Sequence, residues 1–212
     1  GMSTVDHAGR PIVAVTGIGI VTPLGVGVVD NWAALVAGRS GITRIDRFPL
    51  DHLRTTIAGT VKLPGLDTGA MTSAERVLRY ATLAAEEALA TAGFAGGVPG
   101  PLMLGMPPVE TEWPYRFRLA AQAAPAVPTY PALAEVAARC EGMYENAAFA
   151  VIGERLAERF GTRGAPIAIS TACATGASAI QLGVEAIRRG EAEAALAIGA
   201  DGTVQPEALI RF

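Results

Sequence analysis

"ISTACATGASAIQL", residues 169–182, leaves an apolar run, turns sharply through small residues and enters helical spacing. Before it, "APIAIS" (165–170) reads as a strand. After it, helical periodicity continues to about 189, and "AEAALAIGAD" (192–201) reads as a second strand. A strand, a helix and a strand with a connection of this length form a βαβ unit, which requires parallel strands with the helix packed over them. The stretch therefore sets the class of the chain as α/β.

The rest of the sequence agrees with that class. "PIVAVTGIGIVTPLG" (11–25) opens as a β-rich apolar run and breaks into glycines. "DNWAALVAG" (30–38) reads as a short helix with Asp30 as N-cap and Gly38 as its terminal glycine. Residues 39–69 read as irregular. "TSAERVLRYATLAAEEALATAG" (72–93) is the clearest helix. Thr72 and Glu75 have capping-box spacing, Val77, Ala81, Ala84, Ala85, Ala88 and Leu89 share one stripe, and Gly93 ends it. "PLMLGM" (101–106) reads as a buried strand. Residues 107–131 carry six prolines and read as a long irregular loop, and helical spacing resumes from 132 to about 160.

Composition narrows the function. The chain has 212 residues, half of them hydrophobic and 17% charged, enough for one sizeable core. A net charge of −3 offers nucleic acid no attraction. No run approaches the roughly 18 apolar residues of a membrane span. Residues 1–10 lack the apolar stretch of a signal peptide and read as a flexible terminus, with Gly1 before Met2 resembling a scar of tag removal; the domain is expected over 11–212. Cys140 and Cys173 make no disulfide framework, so a cytoplasmic location is expected. "TGIGIVTPLG" is not a dinucleotide fingerprint, because Thr22 stands where its third glycine would be. No phosphate-binding loop is present, and Lys62 is the only lysine. His7, His52 and two distant cysteines give no metal-ligand spacing.

Cys173 is the one residue whose context suggests chemistry. It follows a strand and precedes a helix, where unpaired N–H groups and the helix dipole favour an anion. A thiol so placed is expected to ionise more readily, and the thiolate is the nucleophile. The same N–H groups can hold an oxyanion in acyl transfer. A small buried thiol that fills a gap is the competing reading. Cys140, in the helical pattern "LAEVAARC", reads as packing.

"ISTACATGASAIQLGVEAIRRGEAEAALAIGAD" is similar to the active-site segment of the β-ketoacyl-ACP synthases of the KAS I/II and polyketide ketosynthase type, in the thiolase superfamily. "VAVTGIGIVTPLGVGVVDNWAALVAGRSGI" resembles that family's N-terminus, and "RFGTRGAPIAIS" its approach to the cysteine. The resemblance is strong at 12–45 and 160–201 and weak between about 95 and 155. It implies a thiolase-like N-terminal half with a mixed or mostly parallel sheet covered by helices. It also implies a decarboxylating Claisen condensation. Cys173 would accept an acyl group from an acyl carrier protein or CoA thioester, and a malonyl-type extender would lose carbon dioxide and attack it. No metal or organic cofactor is implied, since the substrates ride on phosphopantetheine. A homodimer is expected.

The sequence departs from the family in places. "LMLGMPPVET" replaces a glycine-rich stretch that resembles the lining of the acyl pocket and dimer contact, which makes Met106, Pro107 and Pro108 candidate substrate-binding residues. Asp201 stands where the family usually has glutamate. Family members are about twice as long, and two histidines in their second half serve the cysteine. That half is absent here, and His7 and His52 are not expected to replace it. An apolar helix face around 174–189 is therefore expected to need a partner: the C-terminal half or a second copy. The isolated chain is expected to be inactive in condensation. The alternative is a non-catalytic dimerisation, scaffold or chain-length subunit, although such subunits typically lack the cysteine.

Overall fold

The computed structural model describes residues 2–51, 53–107 and 149–210. At its centre is a three-stranded parallel sheet of β5 (Leu102–Gly105), β6 (Ile167–Ile169) and β7 (Leu196–Gly199), in the order β6–β5–β7. Met103 pairs with Ile167 and with Ala197, which fixes the register on both sides. The two strands of the expected βαβ unit are both present and parallel to β5, but they are not neighbours. β5 lies between them, so the helix that joins them, α4 (Thr175–Arg188), passes over the central strand.

The pleat of β5 sorts the core. Leu102 and Leu104, with Met106 just beyond the strand, join Val77, Ala81 and Ala85 of α2 (Ser73–Ala92) and Ile152, Leu156 and Phe160 of α3 (Phe149–Phe160). Met103 points the other way and meets Ala179 and Ala186 of α4, as the period-2 alternation of a strand requires. A sheet with helices on both faces must be apolar on both, and all four residues of β5 are buried.

α2 has the expected termini. Thr72 Oγ1 accepts the Glu75 N–H at 3.1 Å, and Glu75 Oε2 accepts the Thr72 N–H at 2.8 Å. Gly93 ends the helix at φ +79°. Arg76, 2% exposed, donates from Nε to the Gly202 carbonyl at 2.8 Å and from Nη1 to the carbonyls of Thr68 and Met71, tying α2 to the loop after β7. In that loop, Asp201 Oδ1 accepts the N–H and the hydroxyl of Thr203.

Several expectations are corrected. Helix α1 (Val28–Val36) starts three residues early, with Gly27 at the N-cap, so Asp30 lies in its first turn rather than capping it. Glu87 of α2 accepts the Val28 N–H instead, at 2.9 Å. The C-terminal expectation holds: the Gly38 N–H reaches Leu35 and the Arg39 N–H reaches Ala34, a Schellman closure. The apolar run 11–20 joins no strand; only Val21–Thr22 (β1) and Gly25–Val26 (β2) pair, as a small hairpin. The run lies instead on the backbone of α2, where a Cβ at Gly19 would fall 1.7 Å from the Ala84 carbonyl oxygen. Its other side is open, with Val15 75% and Ile18 59% exposed. The segment 39–69 contains an antiparallel pair, β3 (Ile42–Arg44) with β4 (Ile57–Gly59). Within residues 1–10, Asp6 Oδ1 accepts the N–H groups of Ala8 and Arg10, both at 2.9 Å, in a local turn. The last element is α5 (Pro206–Ile210). Residues 108–148, which include Pro108, Cys140 and most of the predicted irregular segment, lie outside the described residues, as does His52.

Candidate active site

Cys173 sits where the sequence places it, in a joint between β6 and α4. A single 3₁₀ turn, Ala172–Ala174, joins the two, and the Cys173 side chain is exposed. The reading as a small buried thiol is therefore wrong. The chain must reverse within three residues of Ile169, and it does so through Ala172 at φ +53°. That is the left-handed region, which costs an L-residue about 1–2 kcal/mol. Strained backbone of this kind persists only where surrounding contacts over-determine it.

Those contacts are hydroxyls. Thr175 Oγ1 accepts the Thr171 N–H at 2.8 Å and donates to the Ala172 carbonyl at 2.6 Å. Ser178 Oγ donates to the Ala174 carbonyl at 3.0 Å and pairs with Thr171 Oγ1 at 3.0 Å. Sequence reasoning missed both residues. The four-residue spacing of Thr171 and Thr175 across the cysteine was the available signal, since hydroxyls at helix starts bond local backbone.

The turn is seated on the carboxyl ends of the parallel strands, the usual ligand-binding edge of α/β sheets. Glycines make this approach possible. A Cβ at Gly105, the last residue of β5, would lie 2.6 Å from Thr175 Cγ2 and 2.8 Å from the Thr175 carbonyl oxygen. A Cβ at Gly199, the last residue of β7, would lie 3.0 Å from the Gly176 Cα. The outcome is an exposed thiol on a rigid turn, at the N-terminal end of a 14-residue helix whose dipole favours an anion there.

Among the described residues no base reaches it. Among the described residues the Cys173 thiol has no hydrogen-bond partner, and His7 is exposed in the N-terminal turn. Met106 is fully buried in the main core and donates its N–H to the Ile169 carbonyl at 3.2 Å; Pro107 beside it is half-buried. A cavity of about 490 Å³ lies between Ile20–Thr22, Tyr80 and Ala84 of α2, and the end of β7 at Gly199. A second, of about 540 Å³, is lined by polar groups that include Asp46, Lys62 and Thr68. Neither cavity is lined by Cys173 or Met106.

Residues 11–212 match the family model for the β-ketoacyl synthase N-terminal domain. The chain belongs to the β-ketoacyl synthase family. It is 30% identical over 217 residues to 3-oxoacyl-[acyl-carrier-protein] synthase 2 of Vibrio cholerae, covering 94% of this chain and 48% of that one. The ishigamide ketosynthase/chain length factor superposes with a TM-score of 0.72 at 25% identity, over 96% of this chain and 50% of that one. A type II polyketide-synthase ketosynthase, solved in complex with its acyl-carrier protein, shares the fold with a TM-score of 0.75 at 23% identity, over 93% and 47%. The chain spans about half the length of the relatives it matches. Its α/β architecture is that of the N-terminal half of the thiolase-like ketosynthases. Among the described residues no helix is long and apolar enough to cross a membrane.

Proposed function

We propose that this is the nucleophile-bearing half of a β-ketoacyl synthase and that Cys173 accepts the acyl chain. The observation that carries the reading is the exposed thiol on the strained Ala172 turn, over the carboxyl ends of β5 and β7. A turn held this rigidly fixes an attacking atom before substrate arrives, and such pre-organisation lowers the entropic cost of reaction.

In the proposed cycle the Cys173 thiolate attacks the carbonyl carbon of an acyl thioester. That attack forms the C–S bond to Cys173; collapse of the tetrahedral intermediate breaks the C–S bond to phosphopantetheine, whose thiolate leaves and takes up a proton in place of the one the Cys173 thiol gave up. A malonyl-type extender then loses carbon dioxide, and the carbanion so formed attacks the acyl-cysteine carbonyl. Cys173 leaves as thiolate and the β-ketoacyl product remains on its carrier. No free cofactor takes part. The groups that polarise the thioester and stabilise the enolate belong to a histidine-bearing C-terminal half. Met106, Pro107 and Pro108 are proposed to border the acyl pocket; for Met106, its N–H bond to Ile169 at the end of the cysteine-bearing strand supports this.

An incomplete sheet supports the need for that second half. Among the described residues β7 pairs only with β5 and the run 12–19 with no strand, and the 490 Å³ cavity opens between residues 19–23 and 199–204. On the solvent side of α4, Ile180 is 56% exposed. β6 is the other sheet edge, with Ile167 45% exposed, and is the proposed contact of a homodimer.

The test is an intact-mass spectrum after incubation with an acyl-carrier-protein or CoA thioester. An acyl adduct on Cys173, absent in Cys173→Ala, supports the assignment. A folded chain that takes no acyl group, alone or with a histidine-bearing half, would favour a non-catalytic subunit.

A further inference from the structure

Thr175 stands apart from the other residues around the cysteine. It is 7% exposed, and its hydroxyl touches the backbone on both sides of the strained residue: it accepts the Thr171 N–H and donates to the Ala172 carbonyl. The Thr175 N–H donates to the same carbonyl. Its methyl is wedged against Gly105, where a Cβ would be 2.6 Å away. A β-branched side chain wedged in this way has one usable rotamer, so the hydroxyl is held in its bonding position. Ser178 makes a bond of similar length, but to the Ala174 carbonyl, and it does not reach Ala172.

We propose that Thr175 is the positioning residue of this turn: its hydroxyl holds Ala172 in the left-handed region and so sets where Cys173 presents its sulfur. The proposal rests on the reading of Cys173 as nucleophile. The Thr175 hydroxyl makes no hydrogen bond to the sulfur; it acts through the backbone of Ala172. Ala172 is the one non-glycine with positive φ among the described residues, so the turn needs something to keep it there. Without the hydroxyl, Ala172 relaxes toward negative φ, and the Cα–Cβ vector of the next residue swings with it.

The experiment compares the rate at which iodoacetamide alkylates Cys173, read on the Cys173 peptide by mass spectrometry. The proteins are the wild type, Thr175→Val, Thr175→Ser and the double variant Ala172→Gly/Thr175→Val. Valine keeps the methyl and loses both hydrogen bonds, so the rate falls about 2- to 10-fold, the range of one net hydrogen bond. Serine keeps the hydroxyl and stays within about twofold of wild type. Glycine adopts positive φ without strain, so adding Ala172→Gly to the valine variant restores the rate. A valine variant at the wild-type rate, or a double variant as slow as valine alone, overturns the proposal. If the valine variant does not fold, serine decides alone: a loss as large as tenfold there shows that the hydroxyl is not the determinant. Wild-type protein that takes no acyl group on Cys173, alone or with a histidine-bearing half, would instead sink the nucleophile reading. Normal acylation with indifference to Thr175→Val sinks only this inference.

Discussion

Gly199, at the end of β7, faces Gly176, in the first turn of α4, so closely that a Cβ on Gly199 would lie 3.0 Å from the Gly176 Cα. The cysteine-bearing turn is thus seated on bare backbone. Gly199→Ala must push the start of α4 off the sheet. The expected cost is about 1–3 kcal/mol of stability, typical of overpacking, with a parallel loss of Cys173 alkylation rate. Gly183→Ala, two turns further along the same helix, meets only the Ala195 Cβ at 3.3 Å. It is expected to leave the alkylation rate at the wild-type value. Chemical denaturation and thiol alkylation of the two variants check the contrast, and equal effects would show that the turn is not seated through Gly199.

Glu87 carries a second structural load. Its two carboxylate oxygens accept the Ile20 N–H at 3.0 Å and the Val28 N–H at 2.9 Å, closing the segment that holds β1 and β2 onto α2. Glu87→Ala removes both charge-assisted bonds and is expected to cost about 2–3 kcal/mol. Hydrogen exchange at Ile20 and Val28 should quicken in this variant while exchange in β5 tracks only the global loss. Uniform acceleration across the chain would contradict a local role.

The Asp6 turn gives a pH prediction. Backbone N–H donation from Arg10, aided by the Ala8 N–H and the Arg10 guanidinium, holds the Asp6 carboxyl below its ordinary value of 3.8. A carboxyl depressed in the folded state stabilises the turn above that ordinary value and loses its contribution as pH falls through the lower, folded one. The Ala8 and Arg10 amide signals should therefore titrate with a midpoint below 3.8. An NMR titration with its midpoint at or above 3.8 would refute this.

How much of this could be read in advance depends on whether the signal was local. The Thr72/Glu75 box, the Gly38 and Gly93 closures and the apolar strands β5 and β7 are each written within a few neighbouring residues, and the structure has them. The run 11–20 has the composition of a strand, but a strand also needs a partner, and no residue in the run encodes one. The β3–β4 pair went unread because its two short strands are separated by a dozen residues without a hairpin turn signal. At the candidate site, the position of Cys173 was legible from the small residues that follow it. The left-handed Ala172 was not, because alanine gives no sign of positive φ; the constraint comes from Thr175 and from the glycine at the end of a strand 70 residues away.

The capping box has consequences beyond its own helix, and that makes it a sharp test. Thr72 and Glu75 bond each other's backbone N–H groups. One turn inward, Arg76 reaches the Gly202 carbonyl and Ser73 Oγ donates to Gln205 Oε1 at 3.1 Å. Fraying at Thr72 would therefore loosen the loop that follows β7. Thr72→Ala is expected to cost about 1 kcal/mol, and Thr72→Ser close to nothing, since serine caps as well as threonine. Glu75→Gln keeps an acceptor for the Thr72 N–H but gives up the negative charge that favours a helix N-terminus, for an intermediate loss of about 0.3–1 kcal/mol. Denaturation midpoints should rank wild type and serine together, then glutamine, then alanine. Exchange at Gly202 and Thr203 should follow the same order, and a loop that stays protected in Thr72→Ala would show that Arg76 holds it without the cap.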